Sequence, residues 1–172
     1  DIDPNRAKIV GVSVSMEKDS GYYIPFVFPG IESNKNYTLN ASEILDTIRP
    51  VLESDKINKC GQNIKYDTLI FLRYDIVLKG ILFDTMLAEH MLHPEKNSYK
   101  LDNLSIEYLE YSMQPIEELI GEGKEQETMD HVPLEKISFY GCEDADITLQ
   151  LTKILKQNLD ESSMAKAFYD IE

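Results

Sequence analysis

The sequence predicts an α/β domain in which a mixed sheet is flanked by helices. Two observations carry this. Short runs of β-branched and aromatic residues alternate with longer segments of helical periodicity, the pattern of a layered α/β domain. The first two such runs, Lys8 to Ser15 and Tyr22 to Phe28, are separated only by a short polar stretch. They read as an antiparallel hairpin, which makes the sheet mixed. A length of 172 residues suits one domain with a sizeable core.

The elements follow in order. Lys8 to Ser15 alternates apolar and polar residues and is a strand, with Asp19-Ser20-Gly21 as the turn to the next. Pro25 lacks an N–H to donate, so the second strand belongs at a sheet edge. Asn40 to Leu52 is a helix, with Asn40 as N-cap and Glu43 three residues on, as in a capping box. Ile57 to Gln62 is a short strand, and Asn63 caps a helix running to about Arg73. Gly80 to Phe83 is a further strand, with Asp84 capping a helix that ends near Leu92. His93 to Tyr99 is a polar loop, followed by short helices at Leu101 to Tyr108 and Ile116 to Ile120. Gly121 to His131, rich in glycine and charge, reads as the most mobile segment. Pro133 opens the last long helix at its first turn, and another helix begins after Ser162.

Composition narrows the function classes. No apolar run is long enough to span a membrane, so no membrane partner is expected. The two cysteines, Cys60 and Cys142, both fall in apolar elements and suggest small core residues in a reducing cytoplasm rather than a disulfide framework. A net charge of −14 argues against a general phosphate-binding surface. It leaves open a site where divalent metals bridge acidic residues to a phosphate.

The long helix holds an acid in an unexpected place. Ile137, Tyr140, Asp144, Ile147, Thr148, Leu151, Ile154 and Leu155 recur at helical spacing on one apolar face, with Asp144 in its middle. A carboxylate turned toward a core costs several kcal/mol unless a cation meets it. Tyr140, one turn earlier, shares that face. The pair resembles half of a metal-dependent active site; pairing of Asp144 with a buried Lys or Arg, or a place at the edge of the stripe, would explain it as well. A second candidate site is Gly61-Gln62-Asn63-Ile64-Lys65-Tyr66-Asp67, which runs from a strand end into a helix start, the usual location of ligand groups in α/β sheets. Asp67 alone could equally be a surface acid favouring the helix N-terminus.

Together these blocks resemble the 3′–5′ exonuclease domain of bacterial DNA polymerase I. The resemblance lies in Gly61–Asp67 (GQNIKYD), Phe83–Leu87 (FDTML) and Tyr140–Leu151 (YGCEDADITLQL), and extends through Val10-Gly11-Val12-Ser13, Tyr23-Ile24-Pro25 and Leu101-Asp102-Asn103-Leu104. It implies a ribonuclease-H-like fold, four acidic residues and two divalent ions, Mg²⁺ or Mn²⁺. Tyr140 places the chain in the tyrosine subclass, since Phe139 stands where the histidine subclass carries its base. By the same resemblance Asp67 and Asp144 are metal ligands and, with Tyr140, the catalytic residues, Tyr140 orienting the attacking water. Gln62 and Asn63 lie by the terminal nucleotide of a single-stranded DNA 3′ end, and Ile2 wedges against its last bases. Ile116 stands where some relatives carry an aromatic residue that packs on a base.

The first motif departs from the family. The family's Asp-x-Glu pair would align before residue 1, and Asp1-Ile2-Asp3 is out of register to replace it. The sequence therefore supplies two of the four carboxylates and is expected to lack the central strand. Residues 1–160 are expected to form the exonuclease-like domain and 161–172 to begin the connection to a polymerase domain of a longer parent chain. Two other readings remain: a non-catalytic scaffold of the same fold supporting a polymerase, and a stand-alone RNA-trimming relative.

Overall fold

A computed structural model describes residues 7–26, 41–123 and 126–171. The chain runs β1 (Gly11–Val14), β2 (Tyr22–Pro25), α1 (Ala41–Leu52), β3 (Lys59–Gly61), α2 (Ile64–Leu72), β4 (Ile81–Asp84), α3 (Thr85–Leu92), α4 (Leu101–Leu109), α5 (Glu117–Ile120), a 3₁₀ turn at Met129–His131, α6 (Leu134–Asp160) and α7 (Ala165–Ile171). The fold class is the mixed α/β one that the sequence predicts. Both early strands are shorter than expected. β1 ends where the Ser15 hydroxyl turns to donate to the Glu17 carbonyl at 3.1 Å. β3 starts late because residues 54–58 curl around the Lys59 ammonium, which donates to the carbonyls of Ser54, Ile57 and Lys79 at 2.8–2.9 Å. Asn40, expected to cap α1, lies outside the described residues.

The strands form two separate pairs. β1 and β2 are antiparallel, from Gly11 opposite Pro25 to Val14 opposite Tyr22. β3 and β4 are parallel, and among the described residues no ladder joins the two pairs. Among the described residues the four strands thus fall into two groups that no direct pairing joins. In the β3–β4 pair, Lys59 faces Ile81 but Cys60 faces Phe83, so Leu82 is an extra residue. Such a slip reverses the facing of the residues beyond it. Ile81 accordingly packs with α1 and α2, while Phe83 packs with α3, α4 and α6.

Helix α6 ties the pairs together. Its 27 residues span about 40 Å, and it contacts all four strands as well as α3 and α4. Ile147, Leu151, Leu155 and Leu159 are buried with Phe83, Ala88, Leu104, Met113 and Phe168 of α7. The hairpin comes close to the helix backbone at two glycines. A Cβ on Gly21 would fall 2.8 Å from the Cys142 Cα, and one on Gly141 would fall 3.0 Å from the Tyr23 ring. On the other side of the strands, Ile44, Leu45, Ile64, Phe71, Ile76 and Leu78 form a second cluster against Val12, Ile24 and Ile81.

One buried ion pair fixes the 93–100 loop. Glu89 of α3 is fully buried. Its carboxylate accepts from Lys96 Nζ at 2.5 Å and from the Tyr108 hydroxyl at 2.9 Å. Lys96 also meets Glu107 at 2.6 Å. Removing one partner of such a pair leaves a charge buried without compensation. Lys96→Ala is expected to lower stability by about 3 kcal/mol in urea denaturation, and Lys96→Met with Glu89→Leu to recover most of the loss. Equal losses for the single and double variants would contradict this.

Candidate active site

The site residues expected from sequence sit on two elements. Gln62, Asn63 and Asp67 surround the start of α2, just beyond the end of β3. Tyr140 and Asp144 lie on α6. Ile2 lies outside the described residues, and Ile116 is partly exposed at the start of α5.

The start of α2 differs from the expected cap. Asn63 occupies the N-cap position, but its φ of 57° is left-handed and its side chain makes no capping hydrogen bond. Asn tolerates that conformation better than most residues. The capping group comes from β4 instead. The Asp84 carboxylate accepts from the Asn63 N–H at 3.2 Å and the Ile64 N–H at 2.8 Å. It also caps its own helix, α3, accepting from Met86 and Leu87 N–H at 2.9 and 3.1 Å. The Gln62 amide is held at both ends: Nε2 donates to the Tyr99 carbonyl at 2.7 Å, and Oε1 accepts from the Thr85 hydroxyl. One N–H and one lone pair of that amide remain for a ligand.

Asp67 follows in the first turn of α2. Its outer surface is exposed, yet the protein packed around its carboxyl pushes its pKa up to about 6, with the Asp84 charge adding to the rise. Asp144 is half-buried on α6. Burial first, then the charges of Asp102 and Glu143, raise its pKa to about 7, against the lowering effect of a hydrogen bond from the Tyr140 hydroxyl. Burial and four nearby carboxylates, Asp144, Asp102, Glu117 and Glu143, also push the Tyr140 hydroxyl far up. Tyr140 and Asp144 thus meet as their i, i+4 spacing predicts.

Neither Asp67 nor Asp144 joins an ion pair among the described residues. The simple explanation of Asp144, a buried Lys or Arg partner, is therefore not what the structure contains. Asp144 lies between two contacts on α6. Gly141 and Cys142 touch the hairpin, while Ile147 and Leu151 reach the Phe83 cluster. The acid stands where the helix passes from one strand pair to the other.

Two neighbours of this site do not stand out in the sequence. Asp102 belongs to the Leu101–Leu104 block, but its approach to Asp144 depends on how α4 packs on α6. Glu143 is a helix-surface acid by pattern; in the fold it accepts from the Tyr111 hydroxyl at 2.7 Å and the Gln114 N–H at 2.9 Å. Among the described residues, no group of three or more His, Cys, Asp or Glu is arranged to hold a metal ion. A cleft of about 400 Å³ opens between the hairpin turn and α6, lined by Asp19, Gly21, Tyr111, Phe139, Glu143 and Asp146 among others. Asp67, Tyr140 and Asp144 do not line it.

The chain belongs to the 3′–5′ exonuclease family, whose profile matches residues 1–160. It is 33% identical over 176 residues to DNA polymerase I of Pseudomonas aeruginosa, covering 99% of this chain and 19% of that protein. Against DNA polymerase I of Borreliella burgdorferi it is 30% identical over 172 residues, covering 99% and 18%. The chain thus spans about a fifth of the length of these relatives. Among solved structures, Brucella melitensis NrnC superposes with a TM-score of 0.72 at 15% identity over 97% of this chain and 72% of that one. A Pol1 structure from M. smegmatis, in complex with DNA primer-template and dNTP, superposes with a TM-score of 0.57 at 20% identity, over 81% and 19%. At these identities the superpositions establish the shared exonuclease fold.

The raised Asp144 pKa has a definite consequence. The folded state keeps this proton between about pH 4 and 7, where the unfolded chain has lost it, so stability falls as pH rises through that window. Asp144→Asn, measured in chelator, is expected to stabilise by on the order of 1–3 kcal/mol at pH 8. The gain should disappear at pH 4 and below. Thermal melts at the two pH values check this, and a loss of stability at pH 8 would contradict it.

Proposed function

We propose that the chain is the proofreading 3′–5′ exonuclease portion of a DNA polymerase I, acting in DNA replication and repair. Its substrate is a frayed single-stranded DNA 3′ end, delivered by the polymerase domain of the same parent chain. The supporting observation is the pair Tyr140 and Asp144, hydrogen-bonded and without a cationic partner, on the helix that crosses to the strand from which Asp67 follows. The two free cysteines fit a reducing cytoplasm.

Two carboxylates whose ionised forms are disfavoured by their surroundings suit a divalent cation. Asp144 and Asp67 would each supply a ligand to Mg²⁺ or Mn²⁺. The bound ions would supply Lewis-acid activation of water and stabilisation of the leaving 3′ oxygen. Tyr140, held protonated with its hydrogen directed to Asp144, would orient the attacking water through its hydroxyl oxygen rather than act as a base. Water adds to the terminal phosphorus, the bond to the penultimate 3′ oxygen breaks, and a nucleoside monophosphate leaves. Gln62 and Asn63, with Ile2, hold the departing nucleotide.

The two acids make an incomplete donor set, since two-metal sites hold their ions about 3.5–4 Å apart with several shared ligands. The lack of a three-donor cluster among the described residues favours, as a second reading, a scaffold role for the chain by itself. The 172-residue chain alone is expected to shorten end-labelled single-stranded DNA weakly or not at all in Mg²⁺ or Mn²⁺. Robust metal-dependent 3′ shortening that Asp144→Ala abolishes would show the donor set to be sufficient. If Mn²⁺ broadens the Asp67 and Asp144 resonances at the same concentrations, the acids share one site; broadening at neither would leave the scaffold reading.

A further inference from the structure

We propose that Asp84 is a positioning residue for the exonuclease site, binding the N-termini of two helices so that α2 presents Asp67, Gln62 and Asn63 in one fixed arrangement. The proposal rests on the reading of Asp67 as a metal-binding acid.

An ordinary N-cap satisfies the orphan amides of its own helix. Asp84 does this for α3 through Oδ1, which takes the Met86 and Leu87 N–H groups. Its other oxygen has a different role. Oδ2 accepts from Ile64 N–H at 2.8 Å, the first residue of α2, twenty positions earlier in sequence. Asn63 N–H also approaches Oδ1 at 3.2 Å. The side chain is 5% exposed, so these bonds are shielded from water.

The next residue completes the hold. Thr85, fully buried, donates its hydroxyl toward the Gly61 carbonyl at 3.2 Å and to Gln62 Oε1. Asp84 and Thr85 therefore grip every residue from Gly61 to Ile64. This explains how Asn63 keeps a φ of 57° with no capping bond from its own side chain. The extra residue at Leu82 contributes, because without that slip the facing of β4 beyond it would reverse. Asp67 lies less than one turn beyond Ile64, so a change in the first turn of α2 moves its carboxylate directly.

Isosteric substitution separates the two roles. In Asp84→Asn the amide oxygen can keep the α3 cap at the Oδ1 position. The NH₂ group then faces the Ile64 N–H, donor against donor. Asp84→Ser likewise caps α3 but is too short to reach α2. In either variant, hydrogen exchange of the Ile64 amide should accelerate by about tenfold or more, the factor expected for losing a hydrogen bond to a charged acceptor. Met86 and Leu87 should exchange as before. Titration with Mn²⁺, followed by NMR line broadening, should show several-fold weaker binding at Asp67.

Four amides accelerating together, or an unchanged Ile64, would overturn the proposal. So would unchanged Mn²⁺ broadening at Asp67 in a variant whose Ile64 amide has been released. If neither variant folds, the wild-type chain decides: Ile64, at a helix N-terminus, must be protected to the level of interior α2 amides, and an unprotected Ile64 refutes the link. Wild-type chain showing no Mn²⁺ broadening at Asp67 or Asp144 would instead overturn the metal reading, and the amide pattern would still test the link.

Discussion

The packing of α6 across both strand pairs is the constraint on which the rest of the molecule depends. No described ladder hydrogen bond joins the hairpin to the β3–β4 pair. Contact of each pair with the same helix, together with the apolar cluster on the opposite side, holds them in one layer. Fully burying Leu151, Leu155 and Leu159 contributes about 1.5–3 kcal/mol each. The other half of the helix presents Gly141 against the Tyr23 ring and the Ser13 side chain, and the Cys142 backbone against Gly21 of the hairpin turn. Asp144 falls between the two halves. An acid at that junction faces neither a complete core nor open water, which is why burial raises its pKa, and no basic residue among the described ones pairs with it.

The second half of the site obeys a similar logic with the opposite sign. At the start of α2, partial positive charge on free N–H groups favours acids. Asp84 takes up those N–H groups from the side. Asp67, one turn in, is then left with the repulsion of Asp84 and a dense surround. A backbone hydrogen bond to Asp67 offsets the resulting rise in its pKa only in part. The arrangement leaves Asp67 and Asp144 both seeking positive charge that the described residues do not provide.

Much of this is legible in the sequence because it rests on local rules. The helical stripe from Ile137 to Leu155 needs only periodicity, and it places Tyr140 and Asp144 on one face. The turn at Asp19–Gly21 and the edge position of Pro25 follow from backbone chemistry. The features that escape the sequence are long-range. A polar residue at the right place makes Asn63 the natural cap of α2; the actual group lies on β4 and reaches it only through parallel pairing. Asp102 and Glu143 look like surface acids until α4 docks on α6. The slip at Leu82 has no local signal, yet it sorts Ile81 and Phe83 into different cores.

The charge balance limits how such a domain can hold a nucleic acid. A protein that binds phosphates through Lys and Arg gains affinity by releasing counterions, and its binding weakens steeply with salt. This chain has 17 Lys and Arg against 31 Asp and Glu, and Tyr140 is surrounded by acids. A DNA strand approaching that region meets repulsion. Under the proposed reading, its attachment would come from stacking and backbone contacts at a few nucleotides, with metal ions bridging acid to phosphate. The same repulsion disfavours duplex, which brings two charged strands. Under the same reading it would be tolerable for a single frayed end, whose few phosphates two ions would meet.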